Sequence, residues 1–104
     1  MFQNSIMYRA QELCPVCRNG AVGFRRCSDG TTIVLMCEEC EALWLDPARR
    51  GLNEAIFPEP PEFKVPGMSC SFGDDDGVAG WATREQVARL GWEGYITSER
   101  PQLK

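Results

Sequence analysis

The sequence predicts a small α+β domain: a β-hairpin with a four-cysteine metal site at its base, short helices after it, and a C-terminal helix-and-strand extension. Three observations predict it. Two C-x-x-C pairs, Cys14-Pro15-Val16-Cys17 and Cys37-Glu38-Glu39-Cys40, stand 19 residues apart. Between them, two strand-like runs flank Asp29-Gly30, a strong hairpin turn signal. In the second half, a proline-rich stretch gives way to a short segment that opens with helix-capping residues.

The cysteine pairs come first because they constrain everything between them. Two thiolates three positions apart on one tight turn grip a metal from one side, and a second such turn completes a tetrahedron. The spacing is that of a four-cysteine zinc site, with Cys14, Cys17, Cys37 and Cys40 as ligands. Four thiolates fill every position, so the zinc is structural and not catalytic. Two other readings share the residues. Two disulfides would need an oxidising compartment, and a rubredoxin-like iron also accepts four sulfurs in a tetrahedron.

Residues 21–27 and 31–36 read as the two strands of the hairpin. A two-residue loop at Asp29-Gly30 sets Phe24 against Leu35, Arg25 against Val34 and Arg26 against Ile33. The hairpin then carries the chain from one cysteine turn to the other, the layout of a zinc ribbon. Cys27 lies too far along it to reach the metal and reads as a free thiol packed like a small hydrophobe.

After the second pair comes Glu41-Ala42-Leu43-Trp44-Leu45-Asp46-Pro47. Cys-Pro-x-Cys, a hairpin, then Cys-x-x-Cys-x-x-x-Trp-Leu-Asp resembles the zinc ribbons named after transcription factor IIB. The resemblance covers about residues 13–55. It implies the zinc ligands already named and a helix following Trp-Leu-Asp, as in the small bacterial members. The family often carries Gly after the second cysteine of each pair; Arg18 and Glu41 stand there in this chain. From the residues themselves, Trp44 is expected to lid the apolar side of the ribbon. Asp46 before Pro47 fits a helix N-terminus, with a short helix over residues 48–56 that Gly51 weakens. The ribbon and its helix span residues 1–56, and residues 57–104 form an extension packed on it within one compact domain.

On either side of this centre the signals weaken. Ile6, Met7, Tyr8 and Leu13 suit a strand or a helix. Residues 57–73 read as irregular because Pro58, Pro60, Pro61 and Pro66 deny regular hydrogen bonding, with Phe63 and Val65 as pins. Cys70 lacks the histidine partner of a nucleophile, since the chain contains no His. Its pairing with Cys27 is not expected in a reducing compartment. Asp74-Asp75-Asp76 is the densest charge, and it does not match a calcium loop. Thr83 and Gln86 form a capping box, Val87 and Leu90 share one face, and Gly91 stops the helix. Trp92, Tyr95 and Ile96 suggest a short strand, and residues 98–104 are expected to fray.

Charge bounds the function. The net charge is −4, and it is uneven: residues 1–52 carry six basic and six acidic side chains, residues 53–104 five and nine. Such a balance repels phosphate backbones and suits a basic partner. The chain shows no signal peptide and no apolar run of membrane-spanning length, so a cytoplasmic protein without a membrane is expected. With a closed metal, no histidine and no phosphate loop, an enzyme is not expected. The expected function is a protein-interaction module, in its most concrete form an acidic immunity-type inhibitor of a basic protein such as a toxin. Asp74, Asp75, Asp76, Trp81 and Trp92 are the candidate partner-binding residues. The alternative is a nucleic-acid-binding or transcription-associated ribbon, using a local basic face of Arg18, Arg25, Arg26, Arg49 and Arg50.

Overall fold

A computed structural model describes residues 5–49, 51–60, 64–66, 71–72 and 80–102. Its centre is the hairpin of β2 (Val22–Arg26) and β3 (Ile33–Cys37). The register is the one the turn signal implies: Phe24 opposite Leu35, Arg25 opposite Val34, Arg26 opposite Ile33. The loop itself is longer than two residues. Cys27 N–H donates to the Thr32 carbonyl (2.9 Å), which leaves residues 28–31 as the loop, with Gly30 at φ 79°. Adding one residue to each side of a two-residue loop keeps the same centre, so the pairing survives. Asp29 holds the turn by accepting from the Thr31 and Thr32 N–H groups (2.9 and 2.8 Å) and from the Thr32 hydroxyl.

Around this hairpin the described residues form one six-stranded antiparallel sheet. β4 (Leu43–Trp44) pairs with β3 on one side. On the other, β1 (Ser5–Gln11) pairs with β2, and β6 (Ser98–Gln102) pairs with β1 to close the path β4-β3-β2-β1-β6. The two-residue strand β5 (Gly80–Trp81) also pairs with β2, at Arg25 and Arg26. Strands from both ends of the chain thus share one sheet.

The main core lies on the sheet face formed by Val22, Phe24, Leu35 and Trp44, with Val87 of the helix against it. Trp44 is fully buried, and its indole Nε1 donates to the Gly51 carbonyl at 2.8 Å. A smaller cluster of Cys27, Met36, Leu43 and Val65 sits on the opposite face. Cys27 is disulfide-bonded and not the free thiol expected. Cys70 lies outside the described residues, so its pairing does too.

Several local expectations gave way to tertiary demands. The helix at 48–56 is reduced to one 3₁₀ turn, Leu52–Glu54. Asp46 does accept from Ala48 N–H (2.9 Å), but the chain must return at once, because Ile56 exchanges two backbone hydrogen bonds with Leu43 (2.8 and 2.9 Å). The 57–73 stretch is not wholly irregular. Lys64 bridges Glu59 and Ser71, and Ser71 ties to the hairpin loop through Ser28 (2.9 and 3.0 Å).

The helix α1 (Arg84–Arg89) has the reciprocal cap its sequence implies: Gln86 N–H to Thr83 Oγ1 (3.1 Å) and Thr83 N–H to Gln86 Oε1 (2.9 Å). It ends at Gly91 (φ 76°), with Gly91 N–H to Ala88 and Trp92 N–H to Val87 carbonyls, a Schellman motif. Leu90 is 46% exposed and does not share the buried face of Val87. The motif makes Leu90 the terminal cap, so the chain turns there and Trp92 takes the inward position. Trp92, Tyr95 and Ile96 form a 3₁₀ turn, Glu93–Tyr95, in place of a strand. The strand comes later: residues 98–102 do not fray but pair along β1, from Arg9 opposite Ser98 to Ser5 opposite Gln102.

Candidate metal centre

The first cysteine turn follows β1 and is closed by Arg18 N–H to the Cys14 carbonyl (2.9 Å) and Cys14 N–H to the Gly20 carbonyl (2.8 Å). The second follows β3 and is closed by Cys37 N–H to the Ala42 carbonyl (2.8 Å). The two are stitched together: Glu38 N–H donates to the Ala21 carbonyl (3.0 Å), and Ala21 N–H donates to Glu38 Oε2 (3.0 Å). They meet so closely at Gly20 that a Cβ there would lie 2.4 Å from Glu39 Cγ and 2.9 Å from Glu39 Cβ. Glycine at 20 is a requirement of this contact.

The result brings Cys14, Cys17, Cys37 and Cys40 into one group, with all four sulfurs within 4.8 Å of one another. Cys14 and Cys40 Sγ stand 3.8 Å apart, Cys17 and Cys37 Sγ 3.6 Å. Magnitude decides between a disulfide and a metal site. A disulfide needs about 2.05 Å. A tetrahedron with Zn–S bonds of about 2.3 Å places its sulfurs about 3.8 Å apart. The four cysteines are free thiols at metal-ligand separation, and they form a structural zinc site on a small antiparallel sheet, as a zinc-ribbon-like centre requires.

Backbone amides point at the sulfurs. Val16 N–H donates to Cys14 Sγ (3.3 Å), while Glu39 and Cys40 N–H groups donate to Cys37 Sγ (3.3 and 3.5 Å). Such donors favour thiolate over thiol. The ligands are not alike. A hydrogen bond from the Gly20 backbone holds Cys17 down at about 7. Burial pushes Cys37 up to about 12 and also raises Cys40. Desolvation thus favours the neutral thiol at Cys37 and Cys40. A divalent ion supplies the charge that lets all four ionise, so metal uptake releases protons.

Arg18 (φ 54°) and Glu41 (φ 67°), one after each pair, both adopt left-handed backbone. These are the positions where the resemblance leads one to expect glycine. The turn still demands that conformation, and two side-chain-bearing residues carry its strain.

Of the candidate partner-binding residues, the structure describes Trp81 and Trp92. Trp92 is half-buried over Phe24, with ring centroids 6.3 Å apart, and packs on the main core. Trp81 is half-buried and stacks on the Arg25 guanidinium at 5.1 Å, while Phe72 covers that guanidinium at 5.7 Å. Asp74, Asp75 and Asp76 lie outside the described residues, as does Arg50. Of the suggested basic face, Arg25 is held between these rings. Arg26 donates to Gln86 Oε1 (3.0 Å) and the Trp81 carbonyl (3.4 Å). Only Arg18 and Arg49 are exposed among its described members. The stacked arginine was invisible in the sequence, because Trp81 reaches Arg25 through β5–β2 pairing and Phe72 follows Ser71, which is tied to Ser28 of the hairpin loop.

Among the described residues, no helix is long and apolar enough to cross a membrane. No family model matches the chain, and no solved structure matches it. The chain is similar to a protein of Acanthamoeba polyphaga mimivirus, "Uncharacterized protein L48": 28% identical over 87 residues, covering 81% of this chain and 72% of the viral one.

Proposed function

We propose that this chain is a non-enzymatic interaction module in which a zinc ribbon of the transcription-factor-IIB type serves as the rigid frame for binding a basic protein. The observation that carries the reading is the closed four-thiolate site. Its ligands leave no coordination position for a substrate or water, so the metal holds the two turns together and does no chemistry. Charge supports the choice of partner: the formal −4 lies in the second half, and four thiolates on one divalent ion add negative charge to the neutral half. In its finest form the module is an inhibitor of immunity type, covering the basic surface of a toxin. That form rests on size and charge.

The nucleic-acid reading is the weaker one. Arg25 and Arg26 are engaged within the fold, which leaves little basic surface for a phosphate backbone. Stopped-flow association of the zinc-loaded protein with poly-L-arginine, followed by tryptophan fluorescence over a salt series, tests the proposal. Rapid, salt-sensitive association that slows and flattens in Asp74/Asp75/Asp76→Asn supports an acidic contact surface. No association at low salt overturns it. RNA or DNA binding that is lost in Arg18→Ala/Arg49→Ala would favour the alternative.

A further inference from the structure

A cavity of about 270 Å³ opens beside the second cysteine turn, with the ligand Cys37 in its wall. Met36 forms an apolar wall, and the rings of Phe72 and Trp81 frame it across the stacked Arg25 guanidinium. The remaining lining is acidic: Glu38 and Glu41. We infer that this cavity is the socket for one arginine side chain of the basic partner, an inference that rests on the reading above and gives it a location.

Size, charge and shape lead to that occupant. The cavity lies below the range of about 300–1,000 Å³ usual for small-molecule and cofactor sites, so it suits one long side chain. Two carboxylates and the zinc–thiolate group outweigh the one positive charge of Arg25, so the cavity attracts a cation. Among cations, arginine fits best. Its methylene stem lies along Met36 and Trp81, and its planar fork matches carboxylates in a way a lysine ammonium does not. Arg25 stacked between two rings is a fixed wall, so it keeps Trp81 in place.

Glu38 and Glu41 differ in what they do for the fold, and this makes the socket testable without unfolding the chain. Glu38 Oε2 accepts from Ala21 N–H, a role the amide oxygen of Gln retains. Glu41 sits at φ 67°, where glycine relieves strain. The experiment is an NMR titration of the zinc-loaded protein with the acetylated, amidated peptide Arg-Gly-Arg-Gly-Arg, using the same peptide with Glu for Arg as control. The expected result is a shift of the Trp81 indole and of the Glu38 and Glu41 amides with the arginine peptide only. Glu41→Gly is expected to weaken binding at least tenfold while raising Tm, and Glu38→Gln to weaken it with Tm unchanged. Binding that both variants leave intact, with shifts mapping elsewhere, overturns the socket but leaves a basic partner standing. Absence of arginine-peptide binding, together with absence of poly-L-arginine association, overturns both.

Discussion

The cysteine turns at residues 14–20 and 37–42 adjoin the sheet that also holds the terminal strand β6, but interactions of different range hold them. Each turn is closed by backbone hydrogen bonds spanning four to six residues, and one ion joins the pair. β6 is held by β1, more than 80 residues away, through strand pairing and a side-chain knot at the start of the ladder. There Glu12 accepts from the Thr97 and Ser98 hydroxyls (2.7 and 2.6 Å) and from Arg9 (2.7 Å). Motif spacing encodes the first kind of contact. The second is encoded in nothing shorter than the whole fold.

Breaking the metal end has the largest expected effect. Chelation, or Cys14→Ser/Cys40→Ser, removes binding free energy on the order of 10 kcal/mol. That matches the whole stability of a domain this size, about 5–15 kcal/mol. Far-ultraviolet circular dichroism with parallel zinc analysis is expected to show cooperative loss of the sheet with the metal. A zinc-free protein that keeps its sheet would show that strand pairing alone suffices.

Next in size is Gly20→Ala, which forces a Cβ into Glu39. It is expected to cost about 2 kcal/mol in denaturant unfolding of the zinc form, the range of an overpacking change. In the C-terminal region, Thr83→Ala removes one half of the capping box and is expected to cost about 1 kcal/mol, leaving zinc content unchanged. A loss of zinc in that variant would show the two regions to be more tightly coupled than their contacts indicate.

Arg18→Gly goes the other way. Relief of the left-handed strain, of about 1 kcal/mol, exceeds the entropy cost of glycine only partly, so a gain of about 0.5 kcal/mol is expected.

A further effect of this small size is that of pH on β6. The Ser98 and Thr97 hydroxyls, with Arg9, hold Glu12 down at about 2, against 4.5 for a free side chain. A depressed carboxylate stabilises the fold fully above its unfolded value, and that stability is lost as pH falls from about 4.5 toward 2. Because Glu12 is exposed, screening keeps the effect within about 1 kcal/mol. Amide exchange of residues 98–102 is expected to quicken over this window before the rest of the sheet responds, and Glu12→Gln is expected to abolish the pH dependence.

The sequence on its own went furthest where the physics is short-range. The ligand set, the hairpin register and the Thr83–Gln86 cap all follow from motif spacing and local turn chemistry. It went least far where two distant segments compete for the same residues. The 48–56 stretch has the opening of a helix, yet Leu43 draws Ile56 into strand pairing and the Trp44 indole takes the Gly51 carbonyl. Residues 98–102 look like a polar tail, yet β1 has an open edge to satisfy.

What the sequence by itself determined is therefore the metal clasp and the hairpin it closes, because thiolate spacing and a tight turn are local geometry. Only the tertiary structure decided that both chain ends meet in one sheet, that Arg18 and Glu41 carry the strain of the turns, and that Arg25 lies between Phe72 and Trp81. Those outcomes depend on hydrogen-bonding edges and ring faces that come into being only once the strands are side by side.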